Sequence, residues 1–343
     1  MKAQIIHSFG DSSVFQLEEV SKPKLLPGHV LINVKATSVN PIDTKMRSGA
    51  VSAVAPEFPA ILHGDVAGIV IEVGEGVSKF KSGDEVYGCA GGFKETGGAL
   101  AEFMLADARL IAHKPNNLTM EEAAALPLVA ITAWESLFDR ANIKPGQNVL
   151  IHGATGGVGH VAIQLAKWAG AKVFTTASQQ KKIEIAHRLG ADVAINYKEE
   201  SVQEYVQKHT NGNGFEVIFD TVGGKNLDHS FEAAAVNGTV VTIAARSTHD
   251  LSPLHAKGLS LHVTFMALKI LHTDKRNDCG EILTKITQIV EEGKLRPLLD
   301  SKSFTFDEVA QAHEYLESNK AIGKIVLKTF GNYSSIKIMI ARC

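Results

Sequence analysis

The sequence predicts an α/β chain in two parts, a β-rich part and a doubly wound parallel sheet. Three observations carry that expectation. At 343 residues the chain exceeds what one hydrophobic core commonly supports, so two domains, or one with a large insertion, are expected. The first third alternates short apolar runs with Gly and Pro, in HVLINVKATSVN, DVAGIVIEVGEGV, GDEVYGC and ALAEFMLADARLIAHKP. That is strand-and-turn grammar with little helix, suited to a barrel-like β domain. From about Met120 the grammar changes: EEAAALPLVAITAWESLF has helical periodicity, and from Asn148 apolar β runs alternate with amphipathic stretches.

The parallel strands are expected at Asn148 to His152, Lys172 to Ala177, Val193 to Asn196, Glu216 to Asp220 and Thr239 to Ile243. Their apolar character without clean alternation suits strands covered on both faces, and the intervening helices should start near Val158, Lys181, Val202 and Leu227. LSLHVTFM, Leu259 to Met266, reads as a sixth, edge strand. Helices around Glu281 to Glu292 and Phe306 to Leu316 follow, then GKIVLK as a strand returning to complete the first domain. The final stretch, Gly331 to Cys343, has no functional reading.

Bulk properties exclude several classes. Lys+Arg 35 against Asp+Glu 37 leaves no field favouring nucleic acid or an acidic membrane, and no uninterrupted apolar run reaches the length of a membrane span. The opening MKAQIIHSFGDSSVFQLEE has a charge inside its first apolar stretch and acidic residues soon after, which fits neither a secretory signal nor a transit peptide. Cys89, Cys279 and Cys343 are odd in number and far apart, so neither a disulfide framework nor a thiolate zinc site is suggested and a reducing cytoplasm is the expected location.

The most specific signal is NVLIHGATGGVGHVAIQLAKWAGAKV, where a predicted strand runs into Gly153, Ala154, Thr155, Gly156, Gly157, Val158 and Gly159 and then straight into an amphipathic helix. Side chains at such a turn would block a dinucleotide pyrophosphate from the helix N-terminus, where free N–H groups and the dipole favour negative charge. Placed between strand and helix, this turn reads as a Rossmann cofactor cradle. An NAD-selecting enzyme usually ends the next strand with Asp or Glu to hold the adenosine ribose. Here Ala177 and Ser178 stand instead, with Lys181 and Lys182 just beyond, so a 2′-phosphate would meet cations and a hydroxyl and NADPH is the expected cofactor. The competing reading makes the two lysines a solvated helix start. Tyr197 is expected on the adenosine side, with a core-edge tyrosine as its alternative.

In VNPIDTKMRSG, GDVAGIVIEVGEGVSKFKSGDEVYG, GGALAEFM, AAALPLVAITAW, ATGGVGHVAIQLAK, LGADVAINY, DTVGG and GKIVL, taken in this order and spacing, the chain closely resembles the medium-chain dehydrogenase/reductase superfamily, in its zinc-free quinone oxidoreductase and enone reductase branch. The resemblance covers nearly everything up to Lys328. It implies a GroES-like β-rich catalytic domain, residues 1–123 and 266–343, interrupted by a Rossmann domain, residues 124–265. The zinc-dependent members hold their metal with Cys and His at places where this chain carries Asn40, Gly64 and Leu128, with His63 one place away, so no metal is expected.

The resemblance also assigns site residues. Asn40 matches the family's Asn near nicotinamide and substrate, where its amide would donate to a carbonyl oxygen; Asp43 and Lys45 belong to the same Asn-Pro-x-Asp-x-Lys motif, and Lys45 would touch the nicotinamide ribose or the developing oxyanion. Asn40 and Asp43 as turn or helix caps, and Lys45 as a solvated cation, are the competing readings. Thr132 matches a threonine beside the nicotinamide, against a helix-interior threonine bonding to its own backbone. Thr221 and Gly223, and Ile243 and Ala244, follow the C-terminal ends of parallel strands, the edge where open α/β sheets bind ligands. The branch often has an aromatic residue soon after the motif, whereas MRSGAVSAVAPEF offers none before Phe58, which leaves the substrate undefined.

The implied reaction passes hydride from NADPH to a quinone or to the β-carbon of an enone. Donors stabilise the growing negative charge on oxygen, and the proton comes from solvent. A catalytically idle NADPH-binding sensor or structural protein, and an enoyl-thioester reductase of the same fold, are the alternatives, because a Rossmann signature reports binding and not turnover. A homodimer is implied by the branch's habit of pairing the Rossmann edge strand across a two-fold, and the apolar LSLHVTFM would make a poor exposed edge.

Overall fold

The computed structural model describes residues 1–330, and the stretch from Gly331 to Cys343 lies outside the described residues. Two compact units divide the chain. Unit 1 takes Met1–Pro127, Ile270–Glu281 and the described residues from Leu299 on; unit 2 takes Leu128–Lys269 and Ile282–Leu298.

In unit 1, strands β1 (Lys2–Ile5) and β2 (Gln16–Glu19) pair with each other, and the long β3 (His29–Val39) leads through helix α1 (Pro41–Arg47) to β4 (Asp65–Val73), β5 (Glu85–Cys89), β6 (Phe103–Asp107), β7 (Ile111–His113) and the short α2 (Met120–Ala124). Helix α3 (Pro127–Trp134), which belongs to unit 2 from Leu128 on, runs on into a π-helical turn, Glu135–Arg140, which the sequence did not suggest. Two hydroxyls bond back along this helix, Thr132 Oγ1 to Leu128 O at 2.7 Å and Ser136 Oγ to Thr132 O at 2.8 Å. Such bonds compete with the helix ladder and accompany its widening.

Unit 2 alternates β8 (Asn148–His152), α4 (Gly157–Trp168), β9 (Lys172–Ala177), α5 (Gln180–Arg188), β10 (Val193–Asn196), α6 (Val202–Thr210), β11 (Phe215–Asp220), α7 (Lys225–Ala233), β12 (Ala234–Thr242), α8 (Ser252–Lys257) and β13 (Ser260–Val263). All six strands are parallel, in the order β10-β9-β8-β11-β12-β13, which is the doubly wound order of a dinucleotide-binding sheet. Consecutive residues Val149, Leu150 and Ile151 are all 0% exposed, so side chains on both faces of the sheet are covered, and the expected run without alternation is what such a strand needs. Leu150, Phe174, Ile195, Tyr205, Phe215, Ile218, Phe231 and Val240 form the core on one of those faces. The edge strand is shorter than LSLHVTFM suggested: its ladder with β12 runs from Ser260 to Val263, and one further bond joins Thr264 N to Thr242 O at 2.9 Å.

The chain then forms α9 (Ala267–Leu271) and α10 (Arg276–Glu291), and returns to unit 1 as β14 (Leu299–Thr305), α11 (Val309–Glu317) and β15 (Lys324–Lys328). Among the described residues the unit 1 sheet has seven strands, β14-β15-β3-β4-β5-β7, with β6 also on β3. The returning GKIVLK segment joins it antiparallel to β3, with Ile325 opposite Val39. Three assignments differ from the sequence reading, which began the Rossmann domain at 124 and left all of 266–343 with the β-rich domain: residues 124–127 fall in unit 1, and 266–269 and 282–298 in unit 2. Ile282, Leu283, Ile286, Ile289 and Val290 make a buried stripe at helical spacing, and a helix goes with the surface that covers its stripe, so residues 282–298 belong to unit 2.

Candidate cofactor and active site

The expected site residues fall into two groups, one in each unit. In unit 2, β8 ends at His152 and the chain turns through Gly153, whose φ of +81° is a left-handed conformation that glycine adopts without strain. A Cβ on Gly159 would lie 2.0 Å from the Gly153 carbonyl oxygen, so the start of α4 passes the turn closely enough to require glycine for packing alone. Gly156 is different. Its φ is −77°, it is exposed, and a Cβ there would meet only Gly153 O at 3.4 Å, an ordinary contact. Nothing in the chain itself demands glycine at that place. It is also the N-cap of α4, with no side chain bonding to the first-turn N–H groups. These groups have no intrahelical partners, so the turn offers donors, a positive dipole end and open space, which fits a pyrophosphate.

Around this turn the other sheet-edge residues gather. Thr221 Oγ1 donates to His152 O at 2.6 Å. One oxygen of buried Asp220 accepts from Val222 N at 2.8 Å, Gly223 N at 3.0 Å and Asn226 Nδ2 at 3.1 Å, which shapes the DTVGG loop. A Cβ on Gly223 would lie 2.4 Å from Ala244 O, so the loops after β11 and β12 press together, and Ile243 N reaches back to Asp220 O at 3.3 Å. Asp220 and His152 escaped the sequence reading; the only available signal was a polar residue closing each of two apolar runs. Burial lowers the His152 pKa to about 4, with Asp220 opposing it.

At the end of β9 Ala177 is buried and Ser178 half-buried, while Tyr197 N donates to Ala177 O and the Tyr197 ring is 54% exposed. Lys181 is exposed and Lys182 half-buried. Both lie in the first turn of α5, which has no acidic residue and no side-chain cap. Cations at a helix N-terminus oppose its dipole, and no ion pair among the described residues relieves these two. An anion seated there would. Thr132 is 4% exposed and its hydroxyl hydrogen is spent within α3, leaving the oxygen as an acceptor.

Unit 1 holds the Asn-Pro-x-Asp-x-Lys residues. Asn40 is the N-cap of α1 in extended conformation, Pro41 opens the helix, and the Asp43 carboxylate accepts the Asn40 N–H at 2.7 Å. Asp43 is therefore a cap, and it is fully buried. Burial pushes its pKa up to about 7, and the neighbouring Asp65 adds to the rise against the Asn40 N–H and Lys324. Asn40 is 1% exposed and held at both ends: Nδ2 donates to Asp65 Oδ2 at 2.8 Å, and Oδ1 accepts from the Lys324 ammonium. Ser38 Oγ also donates to Asp65 Oδ2, at 2.7 Å. Lys45 is exposed and makes no ion pair among the described residues. Asp65 and Lys324 were missed from sequence, since each looks like one polar residue starting an apolar strand.

His63, beside the Gly64 that stands at a lost ligand place, sets its Nε2 2.9 Å from Nε2 of His313, with the rings stacked at 5.2 Å. Burial lowers the His63 pKa to about 3 and puts that of His313 well below its usual value, so the pair is neutral. Among the described residues no group of three or more His, Cys, Asp or Glu converges as metal ligands would.

Comparison with known proteins agrees with both units. Residues 26–116 match the family described as alcohol dehydrogenase GroES-like domain, and residues 189–327 the family described as zinc-binding dehydrogenase. The chain is 36% identical to 2-methylene-furan-3-one reductase of Solanum lycopersicum, over 95% of this chain and 79% of that protein. It is 35% identical, with the same coverage, to the chloroplastic NADPH-dependent alkenal/one oxidoreductase of Arabidopsis thaliana. Among solved structures, the Escherichia coli quinone oxidoreductase complexed with NADPH superimposes with a TM-score of 0.85 at 28% identity, covering 96% of this chain and all of that one. At that identity and coverage the chain belongs to the medium-chain dehydrogenase/reductase superfamily, in its zinc-free quinone oxidoreductase and enone reductase branch.

Proposed function

We propose that the protein is an NADPH-dependent oxidoreductase that reduces a quinone or an α,β-unsaturated carbonyl by hydride transfer without zinc. The observation that carries this reading is Gly156, a glycine that packing does not require at the uncapped start of α4, where a phosphate needs both the space and the donors. Uncompensated Lys181 and Lys182 in the first turn of α5, beside Ser178 and without a carboxylate, support the 2′-phosphorylated cofactor over NADH. The names of the tomato, Arabidopsis and Escherichia coli relatives supply the substrate class. NADPH, when bound, supplies the hydride.

The chain's own part is binding and charge. The turn from Gly153 to Gly159, with Ala154, Thr155, Gly157 and Val158, takes the pyrophosphate; Tyr197 lies on the adenosine side; Thr132, Thr221, Gly223, Ile243 and Ala244 line the nicotinamide half. Asn40 donates to the substrate oxygen on which negative charge develops, and Lys45, unpaired and exposed, adds a cation. Asp43 acts behind them by capping α1 and holding the Asn40 backbone. The GroES-like domain comprises residues 1–123 and the end of the chain, and the Rossmann domain begins near residue 124. Exposed Val263, Phe265 and Leu268, at and just past the β13 edge, support a homodimer, and the buried thiol of Cys89 suits a reducing cytoplasm.

Calorimetry with NADPH and NADH, followed by NADPH oxidation in the presence of a quinone and an alkenal, tests the reading. Tight NADPH binding with turnover is expected. NADPH binding without oxidation across a panel of quinones, alkenals and enones leaves the second reading, an idle NADPH-binding protein, which the engagement of the Asn40 carboxamide at both ends favours.

A further inference from the structure

We propose that Lys324, from the C-terminal returning strand, is a positioning residue that sets the Asn40 carboxamide for its work on substrate oxygen. The inference rests on the role given to Asn40 above. Pairing of β15 with β3 puts Lys324 beside Asn40 although 284 residues separate them. Its side chain is 3% exposed, and Nζ donates to Val39 O at 3.2 Å and to Asn40 Oδ1, while Asp65 Oδ2 is farther, at 3.6 Å. A buried ammonium on a strand is costly, and an apolar residue would serve the sheet better. Asp65 and Asp43 balance the ammonium's charge, and within that balance the ammonium donates to the Asn40 carboxamide and the Val39 carbonyl.

The geometry determines the amide's orientation. With a cation at Oδ1 and the Asp65 carboxylate at Nδ2, a flipped carboxamide would set its NH2 against the ammonium and its oxygen against the carboxylate, two repulsive contacts in a dry site. Asp65 takes one Nδ2 hydrogen at 2.8 Å, and the buried Asp43 carboxylate also draws on the Asn40 side chain, so a substrate oxygen would take the second hydrogen in competition with Asp43. Lys324 thus keeps that hydrogen on the nitrogen side of a rigid amide, and by drawing density from Oδ1 it makes the remaining N–H a better donor. Lys324 itself need touch neither substrate nor cofactor.

The test uses the full chain with NADPH and one quinone, comparing wild type, Lys324→Met, Lys324→Arg, Asn40→Ala, the Asn40→Ala/Lys324→Met double variant and the charge-neutral Lys324→Met/Asp65→Asn pair. Lys324→Met is expected to lower kcat by about tenfold or more, with the NADPH Kd changed by less than about twofold, and Lys324→Arg is expected to recover most of the loss. Asn40→Ala and its double variant should share one kcat, because removing the positioned group leaves nothing to position. The charge-neutral pair removes one buried cation and one buried anion together, so it tests the same point if Lys324→Met does not fold. Wild-type kcat in folded Lys324→Met or in the folded Lys324→Met/Asp65→Asn pair overturns the proposal, as do losses that multiply in the Asn40→Ala double, an equal loss of NADPH affinity, or failure of both Lys324→Met and the pair to fold. A wild-type protein that binds NADPH without turnover sinks the proposed activity instead, and is seen before any variant is made.

Discussion

The turn at the start of α4 and the polar cluster around Asn40 are built on opposite principles. The turn is contiguous, a few residues that offer backbone N–H groups and the space of missing side chains. The cluster is dispersed: Ser38, Asn40, Asp43, Asp65 and Lys324 come from three strands and a helix start, and each is held by another's side chain. A backbone site tolerates change wherever space is open and fails where backbones touch. A buried side-chain network fails when any one charge is left alone.

Gly159→Ala tests the touching part of the turn most severely. Its Cβ would lie 2.0 Å from Gly153 O, so a loss of about 3 kcal/mol or more in urea unfolding is expected. Unchanged stability would show that α4 slides freely and that the close approach does not matter. Asp65→Ala is the matching break in the cluster. Leaving Lys324 buried without its carboxylate should cost about 3–5 kcal/mol, and a loss under about 1 kcal/mol would mean that the cluster is solvated.

The pH dependence of stability separates the charged groups by sign. Buried His63 and His152 have pKa values near 3 and 4 against the usual 6.5, so the unfolded state binds more protons between those values; the stability they contribute is full above about pH 6.5 and lost as pH falls toward 3 to 4. Asp43 runs the other way. Its folded value of about 7 lies above the usual 3.8, so its penalty is full above about pH 7 and relieved as pH falls toward 4. Asp43→Asn should therefore steepen the acid loss of stability in a series of urea unfolding curves, and a shallower acid limb would contradict the burial assigned to Asp43.

Smaller effects are expected at the surface of the cradle. Lys181→Ala/Lys182→Ala should weaken NADPH about tenfold, less at high salt, and leave NADH unchanged. Equal losses for both cofactors would make the lysines part of the general binding surface. Gly156→Ala is the most discriminating of these: stability should stay within about 0.5 kcal/mol or rise, because φ suits alanine and the space is open, while NADPH affinity falls about tenfold. A stability loss there, or full affinity, would remove the argument that the space is kept for a ligand.

This contrast also explains what could be read in advance. Glycines between an apolar strand and an amphipathic helix sit next to one another in the chain, so the strand-turn-helix was legible, as were the alternating strands and helices around it. Thr132 stayed open because a hydroxyl in a helix always has its own backbone within reach, and here it takes that bond. The boundary through α10 was missed because a buried stripe names a helix but not the surface that buries it.

From the amino-acid sequence alone came the fold class, the strand order's raw material and the glycine turn before α4, since all of these depend on local periodicity and on where a side chain is missing. Tertiary structure alone decided that Lys324 and Asp65 grip Asn40 from opposite ends and that His63 meets His313. The physical reason is sequence distance: partners separated by 25, 284 and 250 residues meet only through sheet register and helix packing, and neither composition nor periodicity specifies which polar residue a folded chain will bury against which.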